Sequence, residues 1–159
     1  MSGTAAMGTK PRVRDVMTKE PICADEGMGI RALARLFDEN EISGAPVVDA
    51  GGKLVGVVSR TDLMRRCSEG TAEHPPGYLF ELLADESDEE GGVELTAEPL
   101  IVVQDFMSGD PVTAREDELL APVAHRMASR RVHRVVVVNG EGAPIGVVTT
   151  LDVLRVYPG

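Results

Sequence analysis

Two short stretches pair a hydroxyl with a carboxylate three residues later: Ser59 with Asp62, and Thr149 with Asp152. Each follows an apolar run, Gly56-Val57-Val58 or Gly146-Val147-Val148, so each pair falls where a strand hands over to a helix. The three-residue step brings both groups to one side of that junction. A carboxylate there can accept hydrogen bonds from a vicinal diol, such as the two hydroxyls of a ribose. A hydroxyl beside the unpaired amides of a helix N-terminus suits a phosphate. The same residues also fit a purely structural role, as helix N-caps. In that role the capping belongs to Ser59 and Thr149 and not to Asp62 and Asp152.

A third candidate is the pair His133-Arg134, which has no counterpart in the first half of the chain, where Ser43-Gly44 stands. The planar guanidinium offers a fork of donors matched to phosphate oxygens. Alternatively the pair is an exposed basic end of a helix, interacting with its dipole as Arg130 and Arg131 are expected to do. No catalytic constellation accompanies these residues. There is no Ser/His/Asp order, no phosphate-cradling glycine loop and no dinucleotide fingerprint. His74 and His125 lack partners at ligand spacing, and Cys23 and Cys67 do not form a metal-binding pair. No catalytic residue and no metal site is expected.

The elements that must position these groups emerge from an internal repeat with an offset of 90 residues. Val13-Arg14-Asp15-Val16-Met17 returns as Val103-Gln104-Asp105-Phe106-Met107, Pro21-Ile22 as Pro111-Val112, and Gly56 to Leu63 as Gly146 to Val153. Each copy reads β-α-β-β-α. A short strand follows Pro21 and Pro111. An amphipathic helix then carries Ile30, Leu33, Ala34 and Phe37 on one face, or Leu120, Val123, Ala124 and Met127. Pro122 is tolerable there only in the first turn. Hairpins follow, turning at Gly51-Gly52 and at Gly140-Glu141-Gly142, and short helices close the copies at Thr61 to Arg66 and Thr150 to Val156. Runs such as Val135 to Val138 call for burial on both faces, which one copy alone cannot provide. Two copies packed together as one α/β globule with an internal twofold axis can. The expected organisation is a flexible arm over 1–11, a first repeat over 12–67, an acidic linker over 68–101 and a second repeat over 102–157. Within the linker, Gly77 to Leu83 has helical spacing, and Asp85 to Gly92 reads as a solvated loop. Leu33, Leu36, Val123 and Met127 are candidates for contact with a second chain.

Charge narrows the partners. The net charge is −10, and the stretch from Ser68 to Pro99 holds ten acidic residues with no Lys or Arg. No basic stripe is available for a phosphate backbone, so nucleic acid is not an expected partner. No apolar run reaches the roughly 20 residues that span a bilayer. With no leader segment evident, and with the two cysteines read as reduced thiols, the expected location is the cytoplasm.

The segments Val13 to Met17, Ile42 to Asp49 and Gly56 to Leu63, with their second copies, resemble the repeats of CBS domains. The resemblance covers about Val13 to Arg66 and Val103 to Tyr157. It implies two repeats paired around two clefts, a regulatory ligand-binding module and no enzyme activity. It also implies an adenosyl ligand, AMP, ADP, ATP or S-adenosylmethionine, with no covalent cofactor. The residues it points to are Ser59, Thr61, Asp62, Thr149, Asp152, His133 and Arg134, with Pro21, Ile22, Pro111 and Val112 at the strand starts. In nucleotide-binding relatives the matching Asp holds ribose and the matching Ser or Thr helps hold phosphate. By the same analogy His133-Arg134 serves the cleft whose ribose carboxylate is Asp62. A homodimer that senses cellular energy state and signals through an effector protein is one implied function; a constitutive assembly module with empty clefts is the other.

Overall fold

The computed structural model describes residues 10–69 and 101–157. The expected helix over Gly77 to Leu83, the loop over Asp85 to Gly92, His74 and most of the N-terminal arm lie outside those residues. The repeat plan is present twice. In the first copy come α1 (Val13–Val16), β1 (Thr18–Lys19), β2 (Ala24–Asp25), α2 (Ile30–Asn40), β3 (Gly44–Val48), β4 (Leu54–Ser59) and α3 (Arg60–Glu69). In the second come a 3-10 turn (Val103–Asp105), β5 (Thr113–Arg115), α4 (Leu120–Arg130), β6 (Arg134–Val138), β7 (Pro144–Thr149) and α5 (Thr150–Val156). The fold is mixed α/β, as the periodicity predicts.

The helices form on the faces read from the sequence. Ile30, Leu33 and Phe37 of α2 are buried, as are Leu120, Val123 and Met127 of α4. Pro122 is the third residue of α4, inside the first turn, where its missing amide costs no helical hydrogen bond. Both helices stop in the same way. Glu41 and Arg131 adopt left-handed backbone, with φ of 54° and 57°. The next amide then reaches back, Ile42 N–H to Phe37 O and Val132 N–H to Met127 O, each at 3.0 Å, which satisfies carbonyls the helix leaves open. The hairpin turns use Asp49, whose Oδ1 accepts from Gly51 N at 2.9 Å, and Asn139, whose Oδ1 accepts from Glu141 N at 2.9 Å.

Contacts divide the chain into two compact units, which do not coincide with the sequence repeats. Among the described residues one unit comprises 10–21, 52–54 and 111–157; the other comprises 22–51, 55–69 and 101–110. The opening segment of each repeat thus packs in the unit built on the other. Val13 is fully buried with Leu120, Val123 and Val137, and Val103 is fully buried with Leu33, Phe37 and Val47. Matching hydrogen bonds fasten the exchange: Val13 N–H to Glu118 O at 2.9 Å, and Val103 N–H to Met28 O at 2.8 Å. The Asp of the repeated motif shapes each segment locally. Asp15 Oδ2 accepts from Arg12 N at 2.7 Å, and Asp105 Oδ2 accepts from Val102 N at 2.9 Å.

The first unit holds a four-stranded sheet in the order β1-β7-β6-β5; the second holds β2-β3-β4. β5 runs parallel to β6, and β7 is antiparallel to both β6 and β1. The short strand β1 lies so close to β7 that a Cβ on Gly146 would come within 2.6 Å of Met17 Sδ and 3.1 Å of Thr18 O. At Gly56 of β4 a Cβ would meet Ser108 O at 2.6 Å and Met107 Sδ at 2.7 Å. Glycine at both positions is what admits the exchanged segment.

One expectation is overturned for three of its four residues. Leu33 and Val123 are fully buried and Met127 nearly so, all within their own units, and Leu36 packs against the same core as Leu33. None of the three buried side chains is available to a second chain. The periodicity finds the apolar face of a helix but does not say which surface it faces. The large apolar residues that do reach solvent are Ile22, Met64, Leu151, Leu154 and Tyr157.

Candidate functional site

Strand direction gathers the expected site residues at one end of each sheet. In the first unit, Arg134 opens β6 and is the register partner of Thr149, the last residue of β7. Val112 precedes β5, and its carbonyl accepts from Val136 N at 3.1 Å. Asp152 sits in the first turn of α5, immediately after β7. Val112, Arg134, Thr149 and Asp152 therefore share one end of one sheet, with Pro111 just before Val112 and His133 just before Arg134. The second unit repeats the plan with fewer charges. Ile22 leads into β2, Gly44 opens β3, and Ser59, Thr61 and Asp62 occupy the junction of β4 and α3. Pro21 falls on the other side of the boundary between the units.

Both hydroxyl–carboxylate pairs form reciprocal caps. Ser59 Oγ accepts from Asp62 N at 3.1 Å while Asp62 Oδ2 accepts from Ser59 N at 2.9 Å. Thr149 Oγ1 accepts from Asp152 N at 3.3 Å while Asp152 Oδ2 accepts from Thr149 N at 2.8 Å. This is the capping-box arrangement, two otherwise unpaired amides satisfied at once. The expectation that capping leaves Asp62 and Asp152 uninvolved is therefore wrong. A carboxylate at the third helical position reaches back to the cap amide as readily as the hydroxyl reaches forward. The second oxygen of each carboxylate faces an arginine one turn on: Arg65 Nη1 to Asp62 Oδ1 at 3.3 Å, and Arg155 Nη1 to Asp152 Oδ1 at 3.4 Å. Both arginines are largely exposed, so these pairs are weak and can be displaced by another donor.

His133 is exposed, and its carbonyl accepts from both Thr150 N at 2.9 Å and Thr150 Oγ1 at 3.1 Å. Its backbone thus ties the start of β6 to the start of α5. Arg134 is exposed as well. Arg131 supplies the left-handed residue that ends α4. His125 is exposed on α4. Burial raises the pKa of both Cys23 and Cys67, which keeps them as neutral thiols. No cluster of three metal-ligating side chains occurs among the described residues. No helix among them is long and apolar enough to cross a membrane.

The sequence reading missed the ion pair of Glu118 with Arg126, 2.8 Å apart. Arg126 Nη1 also donates to Thr113 O at 2.9 Å, and Glu118 Oε2 accepts from Arg115 N at 2.8 Å. The hydrogen bond from Arg126 holds the Glu118 carboxyl below its ordinary range, against a smaller opposing effect of burial. Glu118 precedes the first residue of α4, so helical periodicity does not signal the pair; the matching places in the first repeat hold Met28 and Leu36.

The CBS domain family model matches residues 13–69 and 103–159. The chain belongs to the CBS-domain family. A relative in Methanocaldococcus jannaschii, the uncharacterized protein MJ1426, is 32% identical over 150 residues, covering 90% of this chain and 89% of its own. L-aspartate semialdehyde sulfurtransferase of the same organism is 24% identical over 92% of this chain, but the match spans only 23% of that enzyme. Among solved structures, the CBS domain pair of protein MJ0100 in complex with 5′-methylthioadenosine and S-adenosyl-L-methionine has a TM-score of 0.67 and 25% identity. It covers 95% of this chain and 98% of that one. CBSX2 in complex with AMP has a TM-score of 0.65 and 25% identity, covering 93% and 96%.

Proposed function

We infer that this CBS pair is a regulatory module that binds an adenosyl ligand, AMP, ADP, ATP or S-adenosylmethionine, and passes the binding state to an effector protein. In this reading it reports the adenylate energy state in the cytoplasm as a homodimer, with no chemistry of its own. One observation carries the ligand reading: Arg134, Thr149, Asp152 and Val112 converge at one end of the first unit's sheet. An arginine and a hydroxyl match phosphate, a carboxylate matches ribose, and the apolar strand start matches the base. Two structural relatives carry adenosyl ligands, which supports the same chemistry here. The counterpart end of the second unit, with Gly44 where Arg134 stands, fits the nucleoside better than its phosphates. His133, Pro111, Thr61, Ser59, Asp62, Ile22 and Pro21 complete the proposed contacts.

Calorimetry with AMP, ATP, S-adenosylmethionine and adenosine tests this reading. At a hundredfold excess over the dissociation constant, a ligand bound to the folded state adds about 2.7 kcal/mol of stability. Arg134→Ala is expected to weaken AMP and ATP much more than adenosine. Asp152→Asn keeps a capping acceptor and is expected to weaken all adenosyl ligands about tenfold or more, the loss of hydrogen bonds to a charged acceptor. Equal losses for adenosine and AMP in Arg134→Ala would make that arginine structural. No heat with any of the four would leave the second reading, a constitutive assembly module. The engagement of one oxygen of Asp62 and of Asp152 in their own caps favours that alternative. A monomer by light scattering at micromolar concentration would remove the homodimer.

A further inference from the structure

The strand order β1-β7-β6-β5 makes β5 an edge strand with β6 as its neighbour. Residues along a strand turn their N–H and C=O groups to alternate sides. The Val112 carbonyl accepts from Val136 N at 3.1 Å, so Thr113 and Arg115 turn theirs away from β6. A bare edge leaves such groups to water. Here two side chains take them. Arg126 Nη1 donates to Thr113 O at 2.9 Å, and Glu118 Oε2 accepts from Arg115 N at 2.8 Å. Arg126 Nη2 and Glu118 Oε1, 2.8 Å apart, join the two. The ion pair thus offers β5 one donor and one acceptor, as a further strand would. The first repeat has Cys23, Met28 and Leu36 at the places of Thr113, Glu118 and Arg126. Its strand β2 begins at Ala24, the counterpart of Ala114, whereas β5 begins one residue earlier, at Thr113.

We propose that Glu118 and Arg126 are positioning residues for ligand binding: by clamping the outer edge of β5 they fix Pro111-Val112, the strand start against which the base of an adenosyl ligand rests. Val112 is held from β6 through its own carbonyl and from the outer side through the next residue, Thr113. A wall fixed before the ligand arrives loses no backbone freedom on binding. Fixing even one residue's backbone at that moment instead weakens affinity about tenfold. Neither side chain is a ligand contact, because the guanidinium and the carboxylate are committed to each other and to β5. The backbone of Glu118 strengthens the same loop: its N–H donates to Arg115 O at 3.2 Å, and its carbonyl accepts from Val13 N at 2.9 Å. Met28 and Leu36 cannot donate to a strand carbonyl, so the strand start at Val112 is the firmer of the two. This role rests on the reading that the first unit binds an adenosyl ligand, and it names what sets the firmness of that site.

The test uses the full chain, with adenosine and AMP as probes. Glu118→Met combined with Arg126→Leu places the first repeat's pair at these positions and removes the clamp. Calorimetry is expected to show adenosine and AMP weakened by the same factor, about tenfold, since the base is common to both. Urea unfolding is expected to stay close to the parent, an apolar pair replacing a half-exposed ion pair. Amide exchange without ligand is expected to quicken at Ala114 and Arg115, and saturating adenosine to restore protection there, the ordering now occurring on binding. Arg126→Lys, which keeps a charged donor, is expected to bind within about threefold of the parent. Glu118→Gln is the milder break: it keeps an acceptor without the charge and is expected to fall between the parent and the double variant. An affinity loss as large in Arg126→Lys as in the double variant, with urea stability falling in step, would make the pair merely structural and overturn the positioning role. A parent that binds neither probe sinks the ligand reading and this role together. A parent that binds, with a double variant that matches it, sinks this role alone.

Discussion

Two sets of matched residues show the two repeats closing the same backbone plan by different means. Around α2, Met28 and Leu36 pack against the apolar core, and α3 adds buried Leu63 and Cys67. Around α4 the equivalents of Met28 and Leu36 are Glu118 and Arg126, joined as an ion pair, and α5 buries no residue at all. One helical face is sealed by hydrocarbon; the other is held by charge and left partly open. Apolar burial is worth more than a half-exposed ion pair, so the first repeat's helices are the firmer pair. The residues of the second repeat that differ in charge from their counterparts include Thr150, Arg131 and Arg134, where the first repeat has Arg60, Glu41 and Gly44.

The sharpest way to break this contrast is to empty the core under each helical face. Phe37 is fully buried, and Phe37→Ala is expected to cost about 3–5 kcal/mol, the range for a buried aromatic. Met127 is also buried but borders an open groove between α4 and α5, into which neighbouring side chains can relax. Met127→Ala is expected near the low end for its type, about 2 kcal/mol. Urea unfolding of both variants measures the difference. Equal losses would mean that the groove does not soften the second repeat.

The caps give a smaller effect with the same direction. Asp62→Ala and Asp152→Ala each remove one arm of a capping box, expected to cost about 0.5–2 kcal/mol. α3 is ten residues long and anchored by Leu63 and Cys67, whereas α5 has seven residues and no buried anchor. Asp152→Ala is therefore expected to fray its helix more, seen as faster amide hydrogen exchange along α5 than Asp62→Ala produces along α3. The opposite order would show that α5 is held by contacts other than its cap.

These differences explain which features the sequence discloses. The offset of 90 residues, the faces of α2 and α4, the first-turn place of Pro122 and both strand-to-helix junctions follow from periodicity and turn chemistry. The exchange of the opening segments does not. Val13 and Val103 are the same residue type in the same motif, so each fits either core equally well by sequence. Only the chain's path decides which one it enters. The capping role of Asp62 and Asp152 was legible in the spacing Ser-x-x-Asp, yet that spacing serves a cap and a ribose alike. The nearness of Arg134 to Thr149 needed the antiparallel register of β6 and β7, which pattern alone does not fix.

The gentlest perturbation is pH, acting through Glu118 of the second repeat. Glu118 has its carboxyl pKa lowered in the folded protein, chiefly by the hydrogen bond from Arg126. A group with a depressed folded pKa contributes stability that is present above its unfolded pKa, near 4.5, and is lost as pH falls toward the folded value. With both side chains about a third exposed, that contribution is about 1 kcal/mol or less. The first repeat has Met28 and Leu36 at these places and lacks this titration. Acidification through the carboxylate range is thus expected to loosen α4 before α2, followed by amide exchange in each helix. Glu118→Gln keeps a hydrogen-bond acceptor for Arg126 but cannot ionise. It is expected to start slightly less stable at neutral pH and to lose less on acidification. If the variant and the parent lost stability in parallel, Glu118 would not be the group that couples the second repeat to pH.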